Sequence, residues 1–135
     1  MIYEDDLIKL EPFNRDFISP EYRRWFHDPQ VTRYNSHGLF PYTEEKMERF
    51  LAALDKEDAV VWAIIYQGEH IGNVSLQSIN WVNRSAELAI VIGDIGAWGK
   101  GCATHACAFV LKHAFTALGL NRIWTGTAES NKGMQ

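Results

Sequence analysis

Nowhere in the 135 residues does an apolar run approach the roughly 18–20 residues that a membrane-spanning helix needs. The first residues, MIYEDDLIKLEP, have no basic start leading into an apolar stretch, so the pattern of a secretory signal is not visible. Cysteine is scarce. Cys102 and Cys107 are the only two, and five positions apart in a helical pattern they point to different faces, which argues against a disulfide and for reduced, cytoplasmic thiols. Basic residues are outnumbered, 13 Lys and Arg against 17 Asp and Glu, and the net charge of −4 excludes a broad nucleic-acid surface. It leaves room for a small anion held by backbone donors. Repeats, low-complexity tracts and linkers are also lacking, so a single domain over 1–135 is expected, with no membrane or nucleic-acid partner.

What is present is a globular composition, 47% hydrophobic and 22% charged, enough for one core. A short strand is expected at 8–11. Ser19 reads as an N-cap with Pro20 in the first helical position, followed by Tyr22, Trp25 and Phe26 facing inward, and Asp28-Pro29 ends that helix. Thr43 caps a second helix through about 55, with Glu44 and Glu45 in its first turn. Strands follow at 60–66, 71–79 and 86–92, the first two joined by a hairpin turn at 67–70. A long helix then carries Ala103, Ala106, Cys107, Val110, Leu111, Ala114, Phe115 and Leu118 on one apolar face, with Gly119 as a left-handed cap. A strand over 122–127 completes a βαβ unit, whose two strands should be parallel with a right-handed crossover.

The entrance to the long helix, GDIGAWGKGCAT over 93–104, holds four glycines in nine residues. Bare backbone at a helix N-terminus, where first-turn N–H groups lack intrahelical partners and the dipole is positive, suits a phosphate or pyrophosphate. A Walker A loop is excluded because Lys100 is followed by Gly101 rather than Ser or Thr. A dinucleotide fingerprint fails at Thr104, where its third glycine belongs, and three strand-like runs in meander order precede the unit.

Trp98-Gly99-Lys100-Gly101-Cys102-Ala103-Thr104 after an apolar strand resembles the acetyl-CoA loop of the GCN5-related N-acetyltransferases (GNAT), whose signature is Gln/Arg-x-x-Gly-x-Gly/Ala. Gly101 and Ala103 match it, and Trp98 stands in the Gln/Arg place, as is familiar in the RimJ/RimL-like branch. Residues 25–32, 70–74 and 85–88 also resemble that branch, so the likeness covers nearly the whole chain. It implies a mixed α/β (α+β) fold, with a mostly antiparallel sheet, a parallel βαβ unit at its centre and helices on both faces. It implies an acetyl-CoA-dependent N-acetyltransferase acting directly on a primary amine of a protein N-terminus, amino sugar or small molecule. It also implies that the backbone of Ile90, Val91 and Ile92 meets the pantetheine arm. On the same likeness, Trp98, Gly99, Lys100, Gly101, Cys102, Ala103 and Thr104 cradle the pyrophosphate, and Asn131 falls where the family often has a cofactor-binding Asn.

By the same resemblance Glu87 is the candidate general base, acting through water; the alternative is an exposed strand residue paired to Arg84 or Lys9. Trp81 and the 34–37 loop, with His37, border the acceptor pocket. Trp62 is expected in the core and His113 on the solvated face. Cys102 and His105 lie three apart, but two ligands do not make a metal site, and no metal is expected. Family members usually continue with a further helix carrying a Tyr acid and two more strands, whereas the last tyrosine here is Tyr66, so the domain is expected to be incomplete at its C-terminus. A non-catalytic acyl-CoA-binding or oligomerising module, including a homodimer, is the alternative, and a nucleotide-dependent oxidoreductase is a distant third.

Overall fold

The computed structural model describes residues 2–25 and 59–125, together with Glu45, Glu48 and Ala52 of the segment between them. Those three are helical, within the helix expected from Thr43. The rest of that helix, the end of the first helix at 26–29, the 34–37 loop with His37, and Asn131 lie outside the described residues.

Among the described residues, six strands form one sheet in chain order: β1 Tyr3–Glu4, β2 Ile8–Pro12, β3 Val60–Tyr66, β4 Glu69–Asn80, β5 Ser85–Ile92 and β6 Arg122–Thr125. Every neighbouring pair is antiparallel except β5 and β6, which run parallel, Ser85 opposite Arg122 through Leu88 opposite Thr125. Helix α1 spans Pro20–Trp25 and opens on the expected cap, the Ser19 hydroxyl accepting from the Tyr22 N–H at 3.1 Å. Helix α2, Cys102–Thr116, makes the crossover between the parallel strands. Gly119 takes the left-handed conformation expected of a helix end (φ +67°).

Strand residues alternate between two cores. Ile8, Leu10, Trp62, Ile64, Val74, Leu76, Ala86 and Leu88 face α2 and meet its Cys102, Ala106, Val110 and Ala114. The opposite face sends Val61, Ala63 and Val91 against Phe13, Tyr22 and Trp25. On this second side His70 is enclosed by rings, stacked on Tyr22 at 5.6 Å and edge-on to Trp25 and Phe17 at 5.0 Å each. Its Nε2 bonds Asn73 Oδ1 at 2.8 Å, and Asn73 Nδ2 donates to the Tyr22 hydroxyl at 3.1 Å. Polar groups thus tie α1 to β4 inside an aromatic cluster.

Two expectations for α2 do not hold. His113 is buried, its Nδ1 bonded to the Tyr3 hydroxyl and its ring edge-on to Trp62 at 5.1 Å. Phe115, placed on the apolar face by periodicity, is 48% exposed. The burial of His113 follows from β1, a two-residue strand too short to leave a periodic signal. Tyr3 stacks on Phe109 at 5.5 Å, and Phe109 and His113 line the side of the helix towards β1.

Burial lowers the pKa of both His70 and His113 below the usual imidazole range, so both are neutral in the fold. An unfolded chain, with histidines titrating near about 6.5, takes up protons that the folded chain refuses as pH falls through that value. Stability is therefore expected to decline from about pH 7 downward and to level off once the folded values are passed. Urea midpoints measured across that range check this. A His113→Phe variant should show a shallower decline, and stability that rose on acidification would contradict the neutral assignment.

Candidate active site

Among the described residues, the β6 side of strand β5 is paired as far as Leu88. The Gly93 N–H donates to the Ile71 carbonyl at 2.8 Å, which sets which β5 residues bond to β4. Val91 falls in the bonded set, and a Cβ placed on Gly72 would lie 2.2 Å from its carbonyl oxygen, so that carbonyl faces β4. Leu88, Ile90 and Ile92 present their backbone groups to the other side. There the described pairing with β6 stops at Leu88. Among the described residues, Ile90 and Ile92 are thus left with backbone groups directed past the end of β6. One of these is claimed locally: the Trp98 indole Nε1–H donates to the Ile92 carbonyl at 2.9 Å.

The glycine loop follows directly. After a 3-10 turn at Ile95–Ala97, Gly99 and Gly101 adopt φ of +80° and +84°. Side chains with a Cβ rarely take this conformation, so the path requires glycine. Gly101 is the N-cap of α2 and supplies no side-chain acceptor, and the first intrahelical bond runs from the His105 N–H to the Gly101 carbonyl at 3.1 Å. The N–H groups of Cys102, Ala103 and Thr104 therefore have no intrahelical acceptor, and Gly101 has no side chain to cap them. A Cβ built on Gly99 would meet nothing within 4 Å, so space is open beside the loop. Gly99, Lys100 and Thr104 are exposed, Ala103 half-buried. This cradle of uncapped donors, with a second set of backbone groups on Ile90 and Ile92, fits an extended ligand carrying a pyrophosphate, as acetyl-CoA does.

Gly93 serves packing rather than the ligand. A Cβ there would fall 1.9 Å from the Trp25 indole, so α1 lies directly on the exit of β5.

Glu87 is buried, not an exposed strand residue. Its Oε1 accepts from Gln77 Nε2 at 3.1 Å. The alternative partners are engaged elsewhere: Arg84 Nε donates to the Gly119 carbonyl at 2.9 Å, and Lys9 pairs with Glu11 at 3.3 Å. Register places Glu87 opposite Gln77 on one side and Trp124 on the other, two residues before Ala89, where the described β6 pairing has ended. The carboxylate and the outward backbone groups of Ile90 and Ile92 thus occupy one stretch of one strand.

Among the other expected residues, Trp62 is fully buried, while Trp81 is 47% exposed in the β4–β5 turn. Cys102 points into the α2 core while His105 is exposed, so the pair is not brought together. Burial raises the Cys102 thiol and pushes Cys107 up to about 11, which keeps both from being thiolate nucleophiles. Instead, His105 Nδ1 contacts Asp5 Oδ2 at 2.7 Å. Asp5 also accepts from the Leu7 and Ile8 N–H groups at 2.8 and 2.9 Å. Burial would raise its pKa, but the hydrogen bonds from Ile8, His105 and Leu7 prevail and hold it below the ordinary value. Sequence reasoning missed this anchor beside the loop; the signal was an Asp three residues before a strand, a pattern that closes an Asx turn. It also missed Ser75 and Gln77, whose signal was polar residues alternating with Val74 and Leu76.

The chain matches the acetyltransferase (GNAT) domain model over residues 8–135. It is 29% identical to the spermidine N(1)-acetyltransferase of Escherichia coli K12 over 136 residues, covering 93% of this chain and 66% of that protein. It is 30% identical to the uncharacterised N-acetyltransferase p20 of Bacillus licheniformis over 107 residues, covering 74% of this chain and 58% of that protein. The chain thus spans less than two thirds of these relatives. In fold it superimposes with a TM-score of 0.79 on the spermidine N-acetyltransferase of Vibrio cholerae, solved with CoA and spermine, at 23% identity over 96% of this chain and 76% of the other. The glycine cradle at the head of α2, the parallel β5–β6 pair and the matched family model lead to one conclusion: this chain belongs to the GNAT acetyltransferase domain family.

Proposed function

We propose that the chain carries an acetyl-CoA-dependent N-acetyltransferase activity, moving an acetyl group onto a primary amine of a small polyamine-like acceptor. The observation that carries this reading is the continuity of one edge. Outward backbone groups on Ile90 and Ile92 lead into the uncapped first turn of α2, with the Glu87 carboxylate a few residues back on the same strand. The polyamine class is supported by the relatives named for spermidine, and the net charge of −4 suits a cationic acceptor.

The chemistry assigned to the chain is simple. Pyrophosphate oxygens accept hydrogen bonds from the N–H groups of 102–104, with Gly99 and Gly101 allowing close approach, and the pantetheine arm pairs with Ile90. Trp98 takes the place of a polar family residue by tying the loop to the Ile92 carbonyl through its indole N–H. Glu87, acting through water, takes one proton from the acceptor ammonium. The freed nitrogen lone pair forms the C–N bond as the C–S bond breaks, and the second amine proton ends on the sulfur as the thiol. Trp81, on the turn next to β5, lies at the border of the acceptor side.

The test is thiol release from acetyl-CoA with spermidine, an amino sugar and a peptide N-terminus as acceptors. Amine-dependent release, fastest with spermidine, is expected. Binding of CoA without release for any amine would favour the acyl-CoA-binding module over the enzyme.

A further inference from the structure

The turn between β1 and β2 reaches the head of α2, where the glycine cradle begins. Asp5, in that turn, is fixed before it meets the helix. Its Oδ1 accepts from the Leu7 and Ile8 N–H groups, and its own N–H donates to the Ile8 carbonyl at 3.0 Å. The second oxygen, Oδ2, lies 2.7 Å from His105 Nδ1. A surface pair of this kind ordinarily adds little to stability, because two side chains must be ordered to make it. Here the carboxylate is already ordered by its own turn, so what the contact fixes is the imidazole.

His105 stands four residues after Gly101, and its N–H bonds to the carbonyl of that residue. Side chains on a helix lean towards its N-terminus, which brings the ring back over the loop. A Cβ on Gly101 would meet Leu7 Cδ2 at 3.7 Å and His105 Cδ2 at 3.9 Å, and nothing else within 4 Å. Cδ2 is bonded to Nε2, so the ring turns Nδ1 to Asp5 and its opposite edge towards Gly101. Nε2 meets no partner among the described residues, and the side chain is 44% exposed. A ring nitrogen with a fixed direction and nothing to bond thus stands beside the uncapped N–H groups of 102–104.

We propose that His105 is a phosphate-binding residue of this chain and that Asp5 positions it, the pair adding a side-chain contact to the backbone cradle. Asp5 Oδ2 accepts from Nδ1–H, and Nε2–H donates to a phosphate oxygen of the acetyl donor. Carboxylate and phosphate are both acceptors, so the ring between them is a donor at both nitrogens and carries one positive charge. That charge also offsets the Asp5 carboxylate, which would otherwise repel an anion held at the head of α2. The inference rests on the cradle being a cofactor site, but it separates from that reading. Backbone N–H groups bind whatever side chain stands at 105, whereas this contact is lost with the imidazole.

Binding of acetyl-CoA is followed by calorimetry, and that of S-acetylpantetheine, which has the thioester and arm but no phosphate, by amide NMR shifts. His105→Phe keeps a ring and removes both nitrogens. It should weaken acetyl-CoA at least about fivefold and leave S-acetylpantetheine within about twofold. Asp5→Asn keeps an oxygen for the Leu7 and Ile8 N–H groups and loses the charge, and should weaken acetyl-CoA about threefold. His105→Arg, able to donate to both anions, should restore native affinity. In thiol release with spermidine the losses should fall on the acetyl-CoA KM, with kcat within about twofold of native, a split that a purely structural pair would not give. Equal acetyl-CoA affinity in the native chain and His105→Phe overturns the proposal. An equal loss for both donors overturns it too, since the loop itself would then be disturbed. If the native chain binds no acetyl-CoA, the cofactor reading fails, and inorganic pyrophosphate decides the contact. It should move the nitrogen-15 signal of His105 Nε2 in the native chain, and an unmoved signal overturns the assignment.

Discussion

Replacing Gly93 by alanine is expected to be among the most destabilising single-methyl additions this fold can suffer. The added carbon would sit 1.9 Å from the Trp25 indole, far inside contact distance. The ring has little freedom to yield, because it packs edge-on against His70 at 5.0 Å and lies 5.3 Å from Tyr22. Overpacking in a filled core typically costs about 1–3 kcal/mol, and expelling a buried Trp about 3–5 kcal/mol, so a loss of about 3 kcal/mol is the expected scale. Denaturant unfolding checks the number, and a double-mutant cycle checks the cause. Trp25→Ala should cost several kcal/mol in the native background and much less beside Gly93→Ala. Simple additivity would show that the two groups do not meet.

Glu87→Gln is expected to give the largest effect on activity. The substitution keeps shape and burial and removes the proton acceptor, and general acid–base groups contribute about 10²- to 10⁴-fold. A fall in kcat with spermidine of at least about 10² is expected, with acetyl-CoA binding and the unfolding midpoint close to native. The alkaline rise in kcat/KM should flatten at the same time. A parental pH profile in the variant would reject the role.

Much of this was legible before any coordinates. The run Val60-Val61-Trp62-Ala63-Ile64-Ile65-Tyr66 forms a strand with the expected ends, and Ser19-Pro20 starts α1 as its side-chain chemistry dictates. These succeed because capping and two-residue periodicity are local. The failures are non-local. His113 reads as a surface residue on the helix period and is buried by Tyr3, 110 positions away in the chain. Glu87 reads as a charge on a strand, and only the pairing with β4 reveals that it is enclosed with Gln77. In the sequence Gly93 is one of four glycines in the 93–104 stretch, whereas the requirement for it comes from an indole on another element. The glycine loop was legible as an anion cradle, because helix ends and positive-φ glycines are written in consecutive residues. The direction of each β5 carbonyl was not, since it depends on register with β4.

The measurement that bears most directly on the whole account is calorimetric titration of acetyl-CoA into the native chain and into Gly101→Val. Gly101 sits at φ +84° at the head of α2, and a branched side chain there strains that conformation and crowds Leu7 and His105, 3.7 and 3.9 Å from the position of its Cβ, so the backbone of the cradle must shift. One-to-one binding to the native chain is predicted, weakened at least about tenfold in Gly101→Val, which corresponds to about 1.4 kcal/mol. Glu87→Gln, which leaves the cradle intact, should bind as the native chain does. Absence of binding to the native chain, or equal affinity in Gly101→Val, would contradict the account.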